Sequence, residues 1–556
     1  MLRDPASSPT GKEDFDRLNK SLILCTAFAV GIACGLLLDG YKANDVRLAM
    51  CLGGMALLLS GWLADLWGWK RFSSLVTAVL VGVLVCSAWI ANDTKLRELF
   101  KEERIQAWNA FHYVLGTKYF DELGYFDLYK CAVLADREAD GVFSGGRYTR
   151  DMHTYSLVPL ESALAAAESE GVRERFSEER WGRFKEDLQA IQSHLPAETW
   201  QRTITDLGFN PSPAWLIVHR PLLNAVDIRK PRTLQLLCCA DLALYAAAFI
   251  VAWWAFGLRR AAVGALWVNL YFGNAGLLAG SYFRNDWLFL TVLAVGLYHK
   301  GHRLAAAPVL AYAASMRGFP GLLALHPALC WFRDAVRLRM PARRHTVFLA
   351  ALAVSCLVLF GLGSTTKHGT GAWLEWREKI SVHGEHIPMW PQRVGLKMVF
   401  TKDYGEWAWG ESAAEKRQIL KHNEPYFRAA QGILILAALL AMLKRNEHDG
   451  MLLGLVVVFA LLVLSRYYAS AWALLFTLTP LDRRRIANLA SGLWLFGLAA
   501  FFYILVKLGY PPTYDAYYAF NVGMLFYFLG ICAFLIAKDI VNLRRRPEGR
   551  SMLRSQ

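Results

Sequence analysis

The chain is a series of long apolar runs separated by shorter polar segments. Each run contains about 15 to 23 residues, which is the length that an α-helix needs to cross the hydrocarbon core of a membrane. The chain has 556 residues, 55% of them hydrophobic, and a mean hydropathy of +0.27. We therefore expect an all-α polytopic membrane protein with about 14 transmembrane helices. The expected spans are 21–39, 48–67, 72–92, 234–257, 261–281, 285–299, 303–316, 319–332, 346–366, 428–444, 450–465, 467–480, 486–507 and 516–537.

The basic residues form short clusters at the ends of these runs. An excess of Lys and Arg in cytoplasmic loops sets the orientation of membrane proteins, so the formal charge of +15 does not indicate a nucleic-acid partner. With a cytoplasmic N-terminus, every cluster falls on the cytoplasmic side. We therefore expect both termini to be cytoplasmic, in a bacterial inner membrane. The clusters are Lys70-Arg71, Arg259-Arg260, Arg333 to Arg344, Lys444-Arg445, Arg483 to Arg485 and Arg544 to Arg546.

The same topology places two hydrophilic stretches on the extracytoplasmic side. The first is too long for a linker and carries charge-rich helical patterns at 162–167 and 170–194, so we expect a small lid domain. We expect the chain to divide as follows: 1–20, cytoplasmic tail; 21–92, helices 1 to 3; 93–232, extracytoplasmic domain; 233–366, helices 4 to 9; 367–427, second extracytoplasmic loop; 428–537, helices 10 to 14; 538–556, basic cytoplasmic tail.

Arg284, Asp286 and Arg317 are charged side chains next to or within the apolar runs. Arg284 and Asp286 occur in Ser281-Tyr282-Phe283-Arg284-Asn285-Asp286-Trp287, between two long apolar segments. Charged residues at membrane depth are costly and usually face a cavity, a partner or a substrate. Arg317 occurs where Gly318 and Pro320 break an apolar run whose two flanks are basic. We expect a short hairpin with Arg317 at its tip, suited to binding a phosphate or pyrophosphate.

The segment from Trp108 to Tyr129 is dense in aromatic and charged residues and soon follows the third span. Aromatic rings stack on sugars, carboxylates accept a proton from an attacking hydroxyl, and cations bind a phosphate leaving group. An interfacial aromatic belt with solvated charges would give the same composition. The candidate residues are His112, Tyr113, Lys118, Asp121, Glu122 and Asp127.

Together these segments resemble the glycosyltransferase C superfamily, and bacterial polyprenol-phosphate-dependent mannosyltransferase-like proteins in particular. The matching stretches are His112 to Tyr129, Ser281 to Trp287, Met316 to Pro320 and Ser465 to Tyr468. The resemblance implies a GT-C-like architecture with an extracytoplasmic active site, a carboxylate base in the first loop and Arg or Lys on the donor phosphate. Here that loop follows three spans, and His112 stands where many relatives carry an early aspartate.

The base is therefore left open among Asp121, Glu122, His112 and Asp127. Further expected substrate-binding residues are Arg150 and Asp151 in the first loop, and Arg466 and Tyr467 at the start of a late helix.

No metal site is expected, although a divalent cation is left open as an alternative. His383-Gly384-Glu385-His386 does not present two histidines at the i, i+4 spacing of a helical zinc pair. Of the ten cysteines, only Cys131 lies in a loop, and no CxxC occurs, which argues against a disulfide framework or a zinc site.

The expected activity is transfer of a sugar from a polyprenyl-phosphate donor to an extracytoplasmic glycan, lipid or protein acceptor at the bilayer. No Gly-rich phosphate loop or cytoplasmic domain for a nucleotide sugar is found. Two alternatives remain. The first is a transporter or lipid flippase, in which Arg284, Asp286 and Arg317 would be coupling charges. The second is a noncatalytic subunit of a cell-envelope polymer assembly system.

Overall fold

A computed structural model describes residues 9–38, 42–101, 105–139, 141, 146–194, 197–274, 280–386, 392–402, 413–509 and 514–544. This part of the chain is almost entirely helical. It opens with three long helices, each of which carries an apolar segment and packs against at least one of the others. They are α1 (Pro9–Leu37), α2 (Ala43–Leu66) and α3 (Lys70–Lys101).

The first hydrophilic stretch follows as a set of short helices, and we call it the loop region. Its elements are α4 (Ala107–Asn109), a π-helix (Ala110–Leu115), α5 (Gly116–Lys118), α6 (Phe120–Leu123), α7 (Leu128–Arg137), β1 (Tyr148–Arg150), β2 (Leu157–Pro159), α8 (Leu160–Ser169), a 3-10 helix (Arg173–Arg175), α9 (Glu178–Gln192), α10 (Ala197–Thr203) and α11 (Pro213–Asn224). Strands β1 and β2 pair antiparallel, with Thr149 opposite Val158.

The loop region has a hydrophobic core of its own, separate from that of the membrane helices. Helix α9 shows how the sequence builds it. Its apolar residues recur on one face, where Trp181, Phe184 and Leu188 are buried, while the Ser177 side chain caps its N-terminus by accepting from the Arg180 N–H at 3.2 Å.

The next helices return to the apolar pattern. They are α12 (Pro231–Cys238), α13 (Ala240–Phe256), α14 (Leu258–Leu270), a 3-10 helix (Phe272–Asn274), α15 (Asp286–His299), α16 (Arg303–Arg317), a 3-10 helix (Phe319–Ala324), α17 (Leu325–Leu338) and α18 (Arg343–Gly363).

The second hydrophilic stretch contributes α19 (Gly371–His386), β3 (Arg393–Val394), a 3-10 helix (Leu396–Phe400) and α20 (Ala413–His422). The chain then continues with α21 (Glu424–Met442), α22 (Glu447–Leu461), β4 (Leu464–Ser465), a 3-10 helix (Arg466–Thr477), α23 (Ile486–Lys507) and α24 (Tyr514–Arg544). Strand β3 pairs antiparallel with β4, so that Arg393 lies opposite Ser465.

Seven helices among the described residues are long and apolar enough to cross a membrane. They are Ala43–Leu66, Lys70–Asn92, Arg232–Phe256, Arg343–Gly363, Glu424–Met442, Ile486–Lys507 and Ala516–Asn542. The class of helical membrane protein is therefore confirmed, but the count of 14 spans is not. Of the other expected spans, 21–39 and 285–299 fall on the shorter apolar helices Ile23–Leu37 and Asp286–His299. Residue 39 and residues 275–279, which belong to the spans expected at 21–39 and 261–281, lie outside the described residues. The remaining expected spans fall on α14, α16, α17, α22 and the 3-10 helices Phe319–Ala324 and Arg466–Thr477. One of them, α22, is buried from His448 to Ala460, as expected for a helix that is apolar on all sides and surrounded by other helices.

The described basic clusters meet on one side of the helix bundle, which we call the basic face. Asp65 pairs there with Arg259 at 3.1 Å and with Arg485 at 2.9 Å. Further contacts on this face join Glu447 to Arg303 and Arg344, Arg333 to the Leu443 carbonyl, Arg445 to Asp539, and Lys538 to the Leu481 carbonyl. Helix α16 starts on this face at Arg303 and extends about 22 Å to Arg317, which lies beside the loop region.

Candidate functional site

A strained turn at residues 280–285 positions Arg284. Gly280, Tyr282 and Phe283 all have positive φ, at 78°, 52° and 64°, and non-glycine residues rarely adopt that region. The Asp241 carboxylate stabilises the turn, because it accepts the backbone N–H of Phe283 at 3.1 Å and that of Asn285 at 2.9 Å. Asp241 belongs to α13, and its carboxylate provides the hydrogen-bond acceptors that these buried backbone N–H groups need.

The guanidinium group of Arg284 lies between two aromatic rings from distant parts of the chain. Its central carbon is 5.4 Å from the ring centre of Tyr113, in the π-helix, and 5.0 Å from that of Tyr467. Its Nη2 donates to the Ser281 hydroxyl at 3.4 Å. Arg284 and Asp286 do not form an ion pair in the described structure, although they are close in sequence.

Arg317 is the last residue of α16, where Gly318 turns the chain with a φ of 67°. Arg317 is close enough to the hydroxyls of Tyr113, Tyr467 and Tyr468 to interact with them electrostatically. The structure therefore brings Arg317 and Arg284 together around Tyr113.

A third arginine reaches the same place from the second hydrophilic stretch. Arg393 in β3 donates to the Ser465 hydroxyl at 2.5 Å and lies beside Tyr467 and Tyr468. The strand is anchored by Asn521, whose side chain donates to the Arg393 carbonyl at 2.9 Å and accepts the Gly395 N–H at 2.8 Å. Gly395 is required, because a Cβ there would lie 2.2 Å from the Leu462 carbonyl oxygen.

We call Arg284, Arg317, Arg393, Tyr113, Tyr467 and Tyr468 the arginine cluster. Among the described residues, no carboxylate lies within ion-pair distance of its three guanidinium groups. The Nε atoms of all three arginines, and Nη2 of Arg317, are buried without a hydrogen-bond partner. Buried charges that lack partners cost several kcal/mol each, so the cluster is suited to a ligand that brings several anionic oxygens.

Beside Arg317, His219 and Asp286 form a close pair. The His219 ring stacks on Trp215 at 4.0 Å, and its Nδ1 lies 2.8 Å from the Trp215 carbonyl oxygen. Its Nε2 lies 3.5 Å from Oδ2 of Asp286. Oδ1 of Asp286 accepts the Trp287 N–H at 2.7 Å, whereas Oδ2 is buried without a hydrogen bond.

Burial lowers the pKa of His219 to about 4, although its hydrogen bond to Trp215 acts in the opposite direction. The imidazole alone is therefore neutral at physiological pH.

The four candidate bases of the first loop all have partners in the loop region. Asp121 pairs with Arg220, Glu122 with Arg180 at 3.0 Å, and Asp127 with Arg175 at 2.6 Å. His112 is buried, with Nδ1 at 2.9 Å from the Trp108 carbonyl and Nε2 at 2.8 Å from the Tyr129 hydroxyl. Burial lowers the pKa of His112. These contacts hold the loop region together, and the choice of base among the four stays a prediction.

Of the remaining expected site residues, Lys118, Arg150 and Asp151 make contacts within the loop region, whereas Arg466 lies next to the cluster. Lys118 pairs with Asp187 at 2.8 Å inside the loop region. Arg150 donates to the Thr205 carbonyl at 2.8 Å, and Asp151 accepts from the Thr154 hydroxyl at 2.6 Å. Arg466 directly precedes Tyr467, and its carbonyl accepts from Tyr271.

The second hydrophilic stretch packs onto the loop region through α19. His383 lies 3.2 Å from the Tyr155 hydroxyl, and the described residues contain no group of three or more His, Cys, Asp or Glu side chains placed to bind a metal. On the same helix, Lys379 is fully buried with its Nζ 2.8 Å from the Met152 sulfur. Burial lowers the pKa of Lys379 to about 7, opposed by the nearby Asp151.

Sequence reasoning missed four residues at or beside the cluster: Arg393, Tyr468, His219 and Asp241. Asp241 carried a usable signal, since it is an acid within an apolar run. Arg393 and His219 carried none, because each lies in a segment that mixes polar and apolar residues.

No family model matches the chain, and neither a curated protein nor a solved structure is significantly similar to it. The family resemblance of the motifs therefore stays a prediction, and function has to be inferred from the geometry of the site.

Proposed function

We propose that the protein is an integral-membrane glycosyltransferase that moves a sugar from a polyprenyl-phosphate donor to a glycan, lipid or protein acceptor outside the cytoplasm. The observation that carries the proposal is the arginine cluster. Among the described residues, its three guanidinium groups have no ion-pair partner and four of its buried nitrogen donors have no hydrogen bond. A phosphate diester offers anionic oxygens in the geometry that guanidinium groups bind best.

The location of the cluster favours a lipid-linked phosphate. Arg317 ends α16 on the side of the bundle opposite the basic face, and Arg284 lies two residues before the apolar helix α15. A phosphate bound here would lie where the membrane helices meet the loop region. Its polyprenyl chain could then remain among the apolar helices while the sugar faces the loop region.

In the proposed reaction, the acceptor oxygen attacks the anomeric carbon and the bond from that carbon to the phosphate oxygen breaks. The electron pair leaves with the lipid phosphate, whose growing charge the three arginines stabilise. The tyrosine rings of the cluster provide flat surfaces on which a sugar can stack. We propose no metal or other cofactor for this chemistry, and we place the protein in a bacterial inner membrane with both termini in the cytoplasm.

The test is turnover of a labelled carrier by purified protein in lipid nanodiscs. A panel of polyprenyl-phosphate hexoses and pentoses, labelled in the sugar, is offered together with a lipid and glycan extract of bacterial membranes. We expect label to move from the carrier to the extract and free polyprenyl phosphate to accumulate. Passage of the intact carrier between leaflets without cleavage would instead support a flippase and refute the proposal.

Variants connect turnover to the cluster. We expect Arg317→Met and Arg284→Met each to lower turnover at least 100-fold, the loss found on removing one preorganised donor from a transition-state site. Arg183→Met is the matched control, because Arg183 is an exposed arginine of α9 paired with Glu179. Equal activity of all three variants would show that the cluster does not serve catalysis.

A further inference from the structure

The carboxylates near the arginine cluster differ in whether they have a buried oxygen without a hydrogen bond among the described residues. Three acids act electrostatically on the cluster: Asp241 on Arg284, Asp286 on Arg317, and Asp206 on Arg393. Both oxygens of Asp241 accept backbone N–H groups of the turn. Oδ2 of Asp206 accepts the Trp108 indole N–H at 3.0 Å. Asp286 has one buried oxygen, Oδ2, that makes no hydrogen bond.

The partner of that oxygen is the ring of His219. A carbonyl oxygen can only accept, so Nδ1 of His219 carries the hydrogen that it donates to Trp215. In the neutral ring Nε2 is then an acceptor, and it lies 3.5 Å from Oδ2 of Asp286. Two acceptors at this distance attract a proton between them, so the pair is arranged to bind one.

We infer that Asp286 is the general base of the proposed transfer and that His219 positions it and shares the proton that it takes up. The inference rests on the proposed function. The acceptor O–H proton passes to Oδ2 of Asp286, the acceptor oxygen forms its bond to the anomeric carbon, and the carbon–oxygen bond to the lipid phosphate breaks. The proton is then held between Oδ2 and Nε2, while the electron pair leaves on the phosphate beside Arg317.

This assignment also explains why the pair lies beside an arginine. In its unprotonated state the carboxylate is stabilised by Arg317, and the other groups acting on it are the Trp287 N–H, Asp241 and the Trp215 indole. The hydroxyl of Tyr312 is also close to Asp286 and is buried without a hydrogen bond. The carboxylates of the first loop, by contrast, each have an arginine of the loop region as a direct partner.

The experiment compares acceptors whose protons differ in acidity. Asp286→Asn keeps an oxygen for the Trp287 N–H, so the start of α15 is expected to stay intact. With an alcohol acceptor, octyl glucoside, we expect Asp286→Asn to lose about 10²- to 10⁴-fold in turnover, the usual contribution of a general base. With the more acidic octanethiol the loss is expected to be far smaller, because the thiol needs little help to lose its proton.

His219→Gln should show the same dependence on the acceptor with a smaller loss, which a purely structural role would not produce. Asp334→Asn, on the basic face and paired with Arg333, is the control. Binding of unglycosylated polyprenyl phosphate, measured by thermal shift, reports whether each variant retains a folded phosphate site.

The outcomes separate the two proposals. If wild-type protein transfers no sugar to either acceptor or to the membrane extract, the proposed function fails and the base assignment fails with it. If wild-type protein is active and Asp286→Asn matches it with octyl glucoside, only the base assignment is overturned. A different base is assigned by a different pattern. If Asp286→Asn keeps wild-type turnover, and Asp206→Asn or Glu122→Gln loses turnover with octyl glucoside but not with octanethiol, the residue changed in that variant is the base.

Discussion

The guanidinium carbon of Arg284 lies 5.0 Å from the centre of the Tyr467 ring. Arg284 lies in the strained turn before α15, whereas Tyr467 is the second residue of the 3-10 helix after β4. A cation over an aromatic face contributes about 0.5 to 2 kcal/mol, depending on its exposure to water. The contact therefore fixes the orientation of the arginine without neutralising its charge, which leaves that charge for a ligand.

Two substitutions at Tyr467 separate the ring from its hydroxyl. Tyr467→Phe keeps the cation–π contact, so we expect affinity for polyprenyl phosphate to fall by no more than about tenfold, the cost of one hydrogen bond. Tyr467→Leu removes the ring as well, and we expect a further loss because Arg284 is no longer held in place. Binding of labelled polyprenyl phosphate in nanodiscs provides the measurement. Equal affinities of the two variants would show that the ring does not orient Arg284.

Arg393 offers a second prediction, because it reaches the cluster only through the pairing of β3 with β4. Replacing it with Met should weaken polyprenyl-phosphate binding by about 10- to 100-fold, the typical effect of losing a hydrogen bond to a charged group. Arg428→Met is the matched control, because Arg428 is an exposed arginine paired with Glu424. An unchanged dissociation constant for Arg393→Met would exclude this arginine from the phosphate site.

Glu122 is expected to act on stability rather than on the reaction. Its side chain is buried and pairs with Arg180 at 3.0 Å, so Glu122→Gln would leave a largely buried arginine without its counter-charge. Breaking such a pair costs about 3 to 5 kcal/mol, and we expect the Tm to fall. Turnover per folded molecule should fall by far less than the ~100-fold that marks the loss of a base. The opposite pattern, normal Tm with lost turnover, would restore Glu122 as the base.

Because Lys379 is buried, we expect it to make the free energy of unfolding depend on pH. The pKa of this buried lysine is lowered from 10.5 to about 7, so between those values the unfolded chain binds a proton that the folded chain has released. The free energy of unfolding therefore rises with pH in this window. Below pH 7 both states are protonated, and the cost of the buried charge is fully present.

Lys379→Met removes that cost. We expect its free energy of unfolding to exceed that of the wild type by on the order of several kcal/mol at pH 6, and the difference to shrink towards pH 10. Tm measurements in detergent at both pH values test this, with Lys507→Met as the control at an exposed lysine. A lower Tm for Lys379→Met at pH 6 would contradict the prediction.

The orientation of the protein can be tested with single cysteines in a cysteine-depleted variant. Ser193, exposed after α9, should react with an impermeant maleimide in intact cells. Met340, which is 74% exposed between two segments of the basic face, should react only after permeabilisation. The reverse labelling pattern would place the loop region in the cytoplasm and exclude a donor site outside it.

The sequence was sufficient to predict a helical membrane protein with a separate hydrophilic region, because apolar run length and charge position are local properties. The count of 14 spans stays a prediction, since seven of the described helices are long and apolar enough to cross a membrane. Helix α22 is apolar on every side because other helices surround it, and composition does not distinguish a helix buried in protein from one that faces lipid.

The site residues that could be predicted are those whose charge is unusual for the surrounding sequence. Arg284 and Arg317 stand out because a charge next to an apolar run needs an explanation. Arg393 does not, since it becomes part of the cluster only when two strands far apart in the chain pair. His219 was missed for the same reason, because its partner Asp286 lies on another helix.

Helix α11 carries His219 and Arg220 as neighbours, and they bind to different parts of the molecule. His219 faces Asp286 at the start of α15, while Arg220 pairs with Asp121 in the loop region. An α-helix of three turns moves as a rigid body, so a displacement of the loop region around Asp121 would also change the distance between His219 and Asp286. The proton affinity of the His219–Asp286 pair therefore depends on the position of Asp121 in the loop region.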